Sequence, residues 1–235
     1  MNESKISIIL PTYNERQTAV PLIKEIFRYC PDANIWVIDD NSPDDTAESV
    51  LRAFCGEEKV QVIIRQGNRG RGQAGREGFI KALKAGSEII GEMDADFSHH
   101  PRFIPGLLEA LKNADVAIGS RYLAGGGHTR RGQLRELVTR GARLYLRLVL
   151  GIRLTDPTSG FRFFQRQTLE SIVPLLKADD PFIVTEVVFY LQKKRARMVE
   201  VPIYFYERKA GKSKLKLVTL LRYLWRVLCL RLRRV

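Results

Sequence analysis

Through the first 120 residues, short apolar runs of strand length alternate with stretches of helical spacing, and no other feature narrows the possible folds as far. Candidate strands fall at 6–10, 35–39, 60–64, 89–93 and 115–119. Such alternation builds a mostly parallel sheet with helices on its faces, an α/β fold. Ser42-Pro43-Asp44-Asp45 predicts a helix start, with Ser42 as N-cap, proline at the first helical position and acids at the positive helix end. Ala47, Val50, Leu51 and Phe54 would form that helix's apolar face. Phe103, Ile104, Leu107, Leu108 and Leu111 repeat the spacing after Pro101. With 235 residues and 45% apolar content, the chain suits one large domain with an appendage.

The polar residues gather where those strands end. Asp94-Ala95-Asp96 follows the apolar run 89–93, and side chains two apart on a strand share a face. Both carboxylates should therefore point into the crevice beyond the strand, where Mg²⁺ or Mn²⁺ holding a diphosphate can sit. Alone, the same tripeptide also reads as an acidic loop capping the next helix. The first strand runs into Pro11-Thr12-Tyr13-Asn14-Glu15 and the second into Asp39-Asp40-Asn41-Ser42-Pro43. Carboxylates there can accept hydrogen bonds from a nucleobase or a ribose, and Tyr13 can cover a base. Each loop alone is ordinary turn chemistry; three at successive strand ends predict a shared site. Gly70-Arg71-Gly72-Gln73-Ala74-Gly75 matches a dinucleotide fingerprint, but that motif belongs after the first strand. A tight turn for close packing, with Arg69 or Arg71 near the site, fits better. His99 and His100 fit the helix start or the surroundings of a metal.

The formal charge of +13 is concentrated. Residues 121–155 carry +7 and residues 207–235 carry +9, which leaves about −3 elsewhere. Such segments suit an anionic partner. Residues 124–134 read as a mobile loop and 135–150 as an arginine-rich helix. In the tail, Arg222, Arg226 and Arg233 fall within about 40° on a helical wheel. That pattern suits a helix lying in a membrane interface, being too often interrupted by arginine to span one. It also suits a helix packed on the core with solvated arginines. Three cysteines without ligand spacing, and no export core at the N-terminus, lead us to expect a reducing, cytosolic setting.

Assembled, these motifs resemble the family 2 glycosyltransferases of the GT-A fold, and within them the dolichol-phosphate mannose synthases. The likeness covers nearly the whole chain: PTYNE at 11–15, DDNSPDDT at 39–46, MDADFSHHP at 93–101, GSRY at 119–122, TDPTSGFR at 155–162, and VPI with ERKAGKSKL at 201–215. The resemblance implies a nucleotide pocket of Pro11, Tyr13, Glu15, Ile38 and Asp40, with Asp94, Ala95 and Asp96 at the metal and diphosphate. It also implies donor-phosphate contacts from Arg121, Arg208 and Lys214, the last two on a loop that closes over the donor. Ser98 stands where many relatives have Gln and is the third metal-ligand candidate. Many bacterial relatives continue into transmembrane helices, so attachment here would depend on the basic helix, the lipid or a partner subunit.

The expected reaction is inverting transfer of mannose from GDP-mannose to a polyprenyl phosphate at the cytosolic membrane face. Residues 1–210 would form the transferase domain, with an acceptor-side segment at about 122–154, and 211–235 the interface helix. Asp96, Arg208 and Lys214 are the catalytic candidates. Arg135 and Arg140 are candidates for the acceptor phosphate, though both also read as solvated helix surface. A phosphate acceptor needs no strong base, whereas a hydroxyl acceptor would need one, such as Asp156 or Glu186. The alternatives are a UDP-sugar donor with a lipid phosphate or glycan hydroxyl as acceptor and, more remotely, a non-catalytic nucleic-acid or membrane-binding module. No recognisable nucleic-acid motif is present, so no nucleic-acid partner is expected.

Overall fold

A computed structural model describes residues 5–129, 133–206 and 217–233, with side chains for 5–129, 136–206 and 220–233. The chain begins β1 (Ile6–Thr12), α1 (Ala19–Tyr29), β2 (Asn34–Asp39), α2 (Thr46–Ala53), β3 (Val60–Ile64), α3 (Arg71–Lys84) and β4 (Ile89–Glu92). Then follow α4 (Ile104–Ala110), β5 (Val116–Ser120), β6 (Gly127–His128), α5 (Gln133–Leu150), β7 (Arg162–Gln165) and α6 (Arg166–Ile172). The last elements are α7 (Ile183–Lys193), β8 (Met198–Pro202), β9 (Tyr204–Phe205) and α8 (Leu217–Arg231).

Seven strands form one sheet in the order β3-β2-β1-β4-β7-β5-β8, parallel except for β7, which runs against both β4 and β5. Alternation along the strands explains the two cores. Ile8, Leu10, Ile35 and Val37 face α1 and bury Leu22, Ile23 and Ile26. Ile9, Trp36, Ile38 and Ile90 face the other way, into a cluster with Phe79 of α3, Leu146 of α5, Ile183 and Val187 of α7, and Val227 and Leu230 of α8. Gly78 lets α3 lie directly on the sheet, since a Cβ there would come within 2.3 Å of Ile9 Cγ2. The five expected strands are all present.

Two local expectations are corrected. The second helix begins at Thr46, because Ser42 is engaged elsewhere: its N–H and hydroxyl donate to Asp39 at 2.7 and 2.6 Å. On that same helix Leu51 is exposed rather than on the buried face, which carries Ala47 and Val50. The glycine-rich stretch expected as a loop contains β6, which pairs parallel with β9.

Candidate active site

The order β2-β1-β4 brings the three acidic loops side by side, with Pro11 opposite Ile38 and Thr12 opposite Asp39. Each loop turns through a residue other than glycine in the left-handed region: Asn14 (φ 60°), Asn41 (φ 54°) and Phe97 (φ 61°). Asparagine tolerates this; phenylalanine pays for it, and such strain gathers at working sites. Thr12 donates to Asp39 at 2.8 Å, so Asp39 clasps the first two loops together. Beyond these strand ends opens a cavity of about 830 Å³.

Pro11, Tyr13, Glu15, Asp40, Asp94 and Ala95 all line it, as expected of a common site. Asp40 is already engaged, pairing with Arg65 and accepting from the Gly70 N–H at 2.8 Å. A carboxylate offers about four lone-pair positions, so acceptor capacity remains. Arg69 donates to the Tyr13 hydroxyl at 2.7 Å and to the Asn41 carbonyl at 3.2 Å, tying the first two loops across the rim. Ile38 lies elsewhere, fully buried beneath α3 beside Gly78.

The strand alternation expected to align the two acids of the 94–96 motif does not extend to them, because β4 ends at Glu92. Asp94 edges the cavity with a side chain 26% exposed, whereas Asp96 is buried and accepts from the Ser98 N–H at 2.9 Å. The left-handed Phe97 makes that turn. Ser98 Oγ and His99 Nδ1 are buried without a hydrogen-bond partner among the described residues, and His99 Nδ1 lies 3.7 Å from Asp94 Oδ2. Burial, the foremost influence, and Arg121 hold His99 below its usual pKa against the pull of nearby acids, which favours a neutral ring. No cluster of three or more His, Cys, Asp or Glu is arranged to hold a metal among the described residues. Two carboxylates with a free hydroxyl nevertheless suit a hard cation that takes its other ligands from substrate phosphates and water.

Arg71, at the head of α3, is a component the strand-end motifs do not announce. It donates to Glu92 at 2.7 Å and to Asp94 at 3.2 Å, and Glu92 also accepts from the fully buried Arg162 at 2.6 Å. Two guanidiniums thus balance two carboxylates. Burial works against the charge on Arg71, but Glu92 and Asp94 raise its pKa well above the ordinary arginine value. Gly70 and Gly72 permit the placement, because a Cβ at either would strike the backbone at 178–179. The glycine motif is therefore a packing turn that delivers an arginine.

Arg121 is not among the residues lining this cavity, although it donates to Thr158, which is. Its guanidinium grips buried Asp156 through two bonds of 2.6 and 2.7 Å. Burial opposes its charge, and Asp156 more than compensates, raising its pKa. Arg140 pairs with Glu136 at 3.2 Å and lines a separate hollow. Arg208, Lys214 and the Arg135 side chain lie outside the described residues. The opposite wall comes instead from Asp180, Phe182 and Thr185 around the start of α7, and from Arg222, Tyr223 and Arg226 of α8. Arg226 pairs with Asp180 at 2.6 Å, and the Tyr223 and Thr185 hydroxyls lie 2.8 Å apart. The even helical spacing of those arginines was the available signal, although it also fitted a lipid-facing edge.

The family model described as Glycosyl transferase family 2 matches residues 7–173. Undecaprenyl-phosphate mannosyltransferase of Micrococcus luteus is 34% identical over 212 residues, 90% of this chain and 87% of that protein. Polyprenol monophosphomannose synthase of Mycolicibacterium smegmatis is 36% identical over 211 residues, 88% of this chain and 80% of that protein. Among solved structures, glucosyl-3-phosphoglycerate synthase of Mycobacterium tuberculosis, in complex with Mn²⁺, UDP and glucosyl-3-phosphoglycerate, superposes with a TM-score of 0.71 at 22% identity. The superposition covers 97% of this chain and 80% of that one, a likeness in fold.

Proposed function

Because the chain belongs to glycosyl transferase family 2, and is thus a glycosyltransferase of GT-A-like fold, we propose that it moves mannose from GDP-mannose to a polyprenyl phosphate, with inversion at the sugar. One observation carries the choice of a phosphate acceptor: Asp156 and Glu186, the carboxylates expected to serve a hydroxyl acceptor as base, are consumed internally. Asp156 is fully buried in the Arg121 fork. Glu186, also fully buried, accepts from the Lys177 and Ala178 N–H groups at 2.9 and 2.8 Å and from Arg233 at 2.6 Å. A phosphate monoester is largely dianionic near neutrality, its second pKa being about 6, and needs no base.

In this reading Tyr13, Glu15 and Asp40 hold the nucleoside, and Asp94, Asp96 and Ser98 hold Mg²⁺ or Mn²⁺ against the diphosphate. When bound, the cation neutralises charge on the leaving group. Arg71 places fixed positive charge beside that position without reorganisation. An oxygen of the acceptor phosphate attacks the anomeric carbon as the bond to the diphosphate breaks. The sugar leaves as a lipid phosphodiester, and the electron pair departs with GDP. Arg208 and Lys214 supply further donor-phosphate contacts, Arg121 orders the neighbouring wall, and Arg135 is assigned to the acceptor phosphate. We take 1–210 as the catalytic body, acting at the cytosolic face of a membrane, and 211–235 as its membrane-facing segment, with or without a partner subunit. No helix among the described residues is long and apolar enough to cross a membrane.

The test pairs radiolabelled sugar nucleotides with a short polyprenyl phosphate and scores chloroform-soluble product, alongside thermal stabilisation by GDP and by UDP with Mg²⁺ or Mn²⁺. Labelled lipid from GDP-mannose is expected. Stabilisation and product with UDP-glucose alone would replace the donor, and product only with a glycan hydroxyl would replace the acceptor.

A further inference from the structure

A second hollow, of about 330 Å³, opens beside α5. Arg140, Arg143, Arg147 and Arg153 line it with Tyr122 and Leu144, and no acid does among the described residues, Arg140 alone being paired, with Glu136 outside the lining. Arg143 is fixed in place, donating to the Thr155 carbonyl at 3.1 Å with its guanidinium 3.9 Å from the centre of the Tyr122 ring. The side chains of Arg147 and Arg153 make neither ion pair nor hydrogen bond among the described residues. Like charges gathered this closely repel one another, so the arrangement favours an anion supplied from outside.

The rim of the hollow is apolar. Leu144 joins Leu137 and Leu148 in a line along α5, exposed by 56%, 67% and 75%. Helix α8 lies against α5, where the Tyr145 hydroxyl donates to the Leu224 carbonyl at 3.0 Å, and carries a second exposed line of Leu221, Trp225 and Leu228, continued by Leu232 just past its end. Successive spacings of four, three and four residues put those side chains on one helical stripe. Arg222 and Arg226 of α8, and Arg233 just past its end, turn the other way, into the donor cavity and onto Asp180 and Glu186. Apolar lines bordering a cationic hollow match a bilayer interface, in which acyl chains lie beneath a layer of phosphates. Tryptophan favours that depth.

We propose that the α5 hollow binds the phosphate of an anionic bilayer phospholipid, distinct from the acceptor's site, while the leucine lines and Trp225 enter the acyl boundary around it. The inference rests on the lipid-phosphate reading above only in placing the enzyme at a membrane.

The test uses the full chain and Arg147→Gln/Arg153→Gln, with vesicles of phosphatidylcholine alone and with phosphatidylglycerol added. Each arginine near an anionic surface contributes about fivefold in affinity, so the double variant should bind phosphatidylglycerol vesicles about thirtyfold more weakly. GDP stabilisation and the KM for a water-soluble short-chain polyprenyl phosphate should not move. Trp225 emission should shift to the blue on phosphatidylglycerol vesicles in the wild-type chain and less so in the variant. Unchanged vesicle binding would overturn the proposal. So would intact vesicle binding with a raised KM for the short acceptor, which would put the acceptor's own phosphate in the hollow. A wild-type chain that transfers to no polyprenyl phosphate, yet loses vesicle binding with these arginines, would sink the proposed function and leave this site standing.

Discussion

Asp94 and Asp96 sit one residue apart and have different employment. Asp94 shares a guanidinium with Glu92 at the cavity edge, while Asp96 is turned inward at a left-handed Phe97. Asp96→Ala should abolish transfer while the circular dichroism spectrum stays native; retained activity with ordinary metal dependence would remove Asp96 from the metal site. Arg71→Met leaves buried Glu92 with Arg162 alone and takes one guanidinium from Asp94. Urea unfolding should register a loss of about 3 kcal/mol, the low end for a broken buried pair because Arg71 retains some exposure. Burial, reinforced by Asp32, raises the pKa of the Cys30 thiol, whereas Cys55 is exposed. Ellman's reagent at pH 8 should therefore find Cys55 quickly and Cys30 only on unfolding. A thiol whose folded pKa exceeds its unfolded value keeps its proton longer in the native state. Its stabilising contribution is full below the unfolded pKa and is lost as pH rises through the folded one. Cys30→Ala should accordingly flatten the fall in stability above about pH 9.

Among the elements, α8 shows what periodicity conveys and what it leaves open. A helix was legible in the tail because its apolar and basic residues recur at helical spacing. Which face turned inward was not, because leucines and arginines can each meet either a core or a lipid surface. The partners decide: Asp180 and Glu186, far away in sequence, capture Arg226 and Arg233. Similarly, Ser42 and Pro43 carry good helix-start chemistry, yet Asp39 claims Ser42 and the helix waits until Thr46. Leu230 is buried where α8 joins the core, so Leu230→Ala should cost about 2–4 kcal/mol in urea unfolding. A cost near zero would mean that the helix lifts off the body in solution.

For the whole molecule, five strands and the meeting of three acidic loops were readable, because parallel order follows from alternation and strand ends line one crevice. The direction of β7 was not, since an apolar run carries no sign of which way it points. Nor was the second wall of the cavity, which depends on segments more than 80 residues from the acidic loops. Because α8 shares one apolar cluster with the sheet, Trp36 and Trp225 should report coincident urea transitions, read separately in single-tryptophan variants. Separate midpoints would make the tail its own unit. The excursion between β5 and β7 has a further consequence. Its two ends meet where the Ser120 and Thr155 hydroxyls lie 2.6 Å apart, next to the Arg121 and Asp156 pair. The stretch between them therefore leaves and re-enters the scaffold at one clasp, like a cartridge in a socket. Evolution, or an engineer, can exchange that cartridge for one of another length and chemistry while the seven-stranded sheet keeps its order, so long as the replacement again pairs with β9 and fills the core position of Leu146.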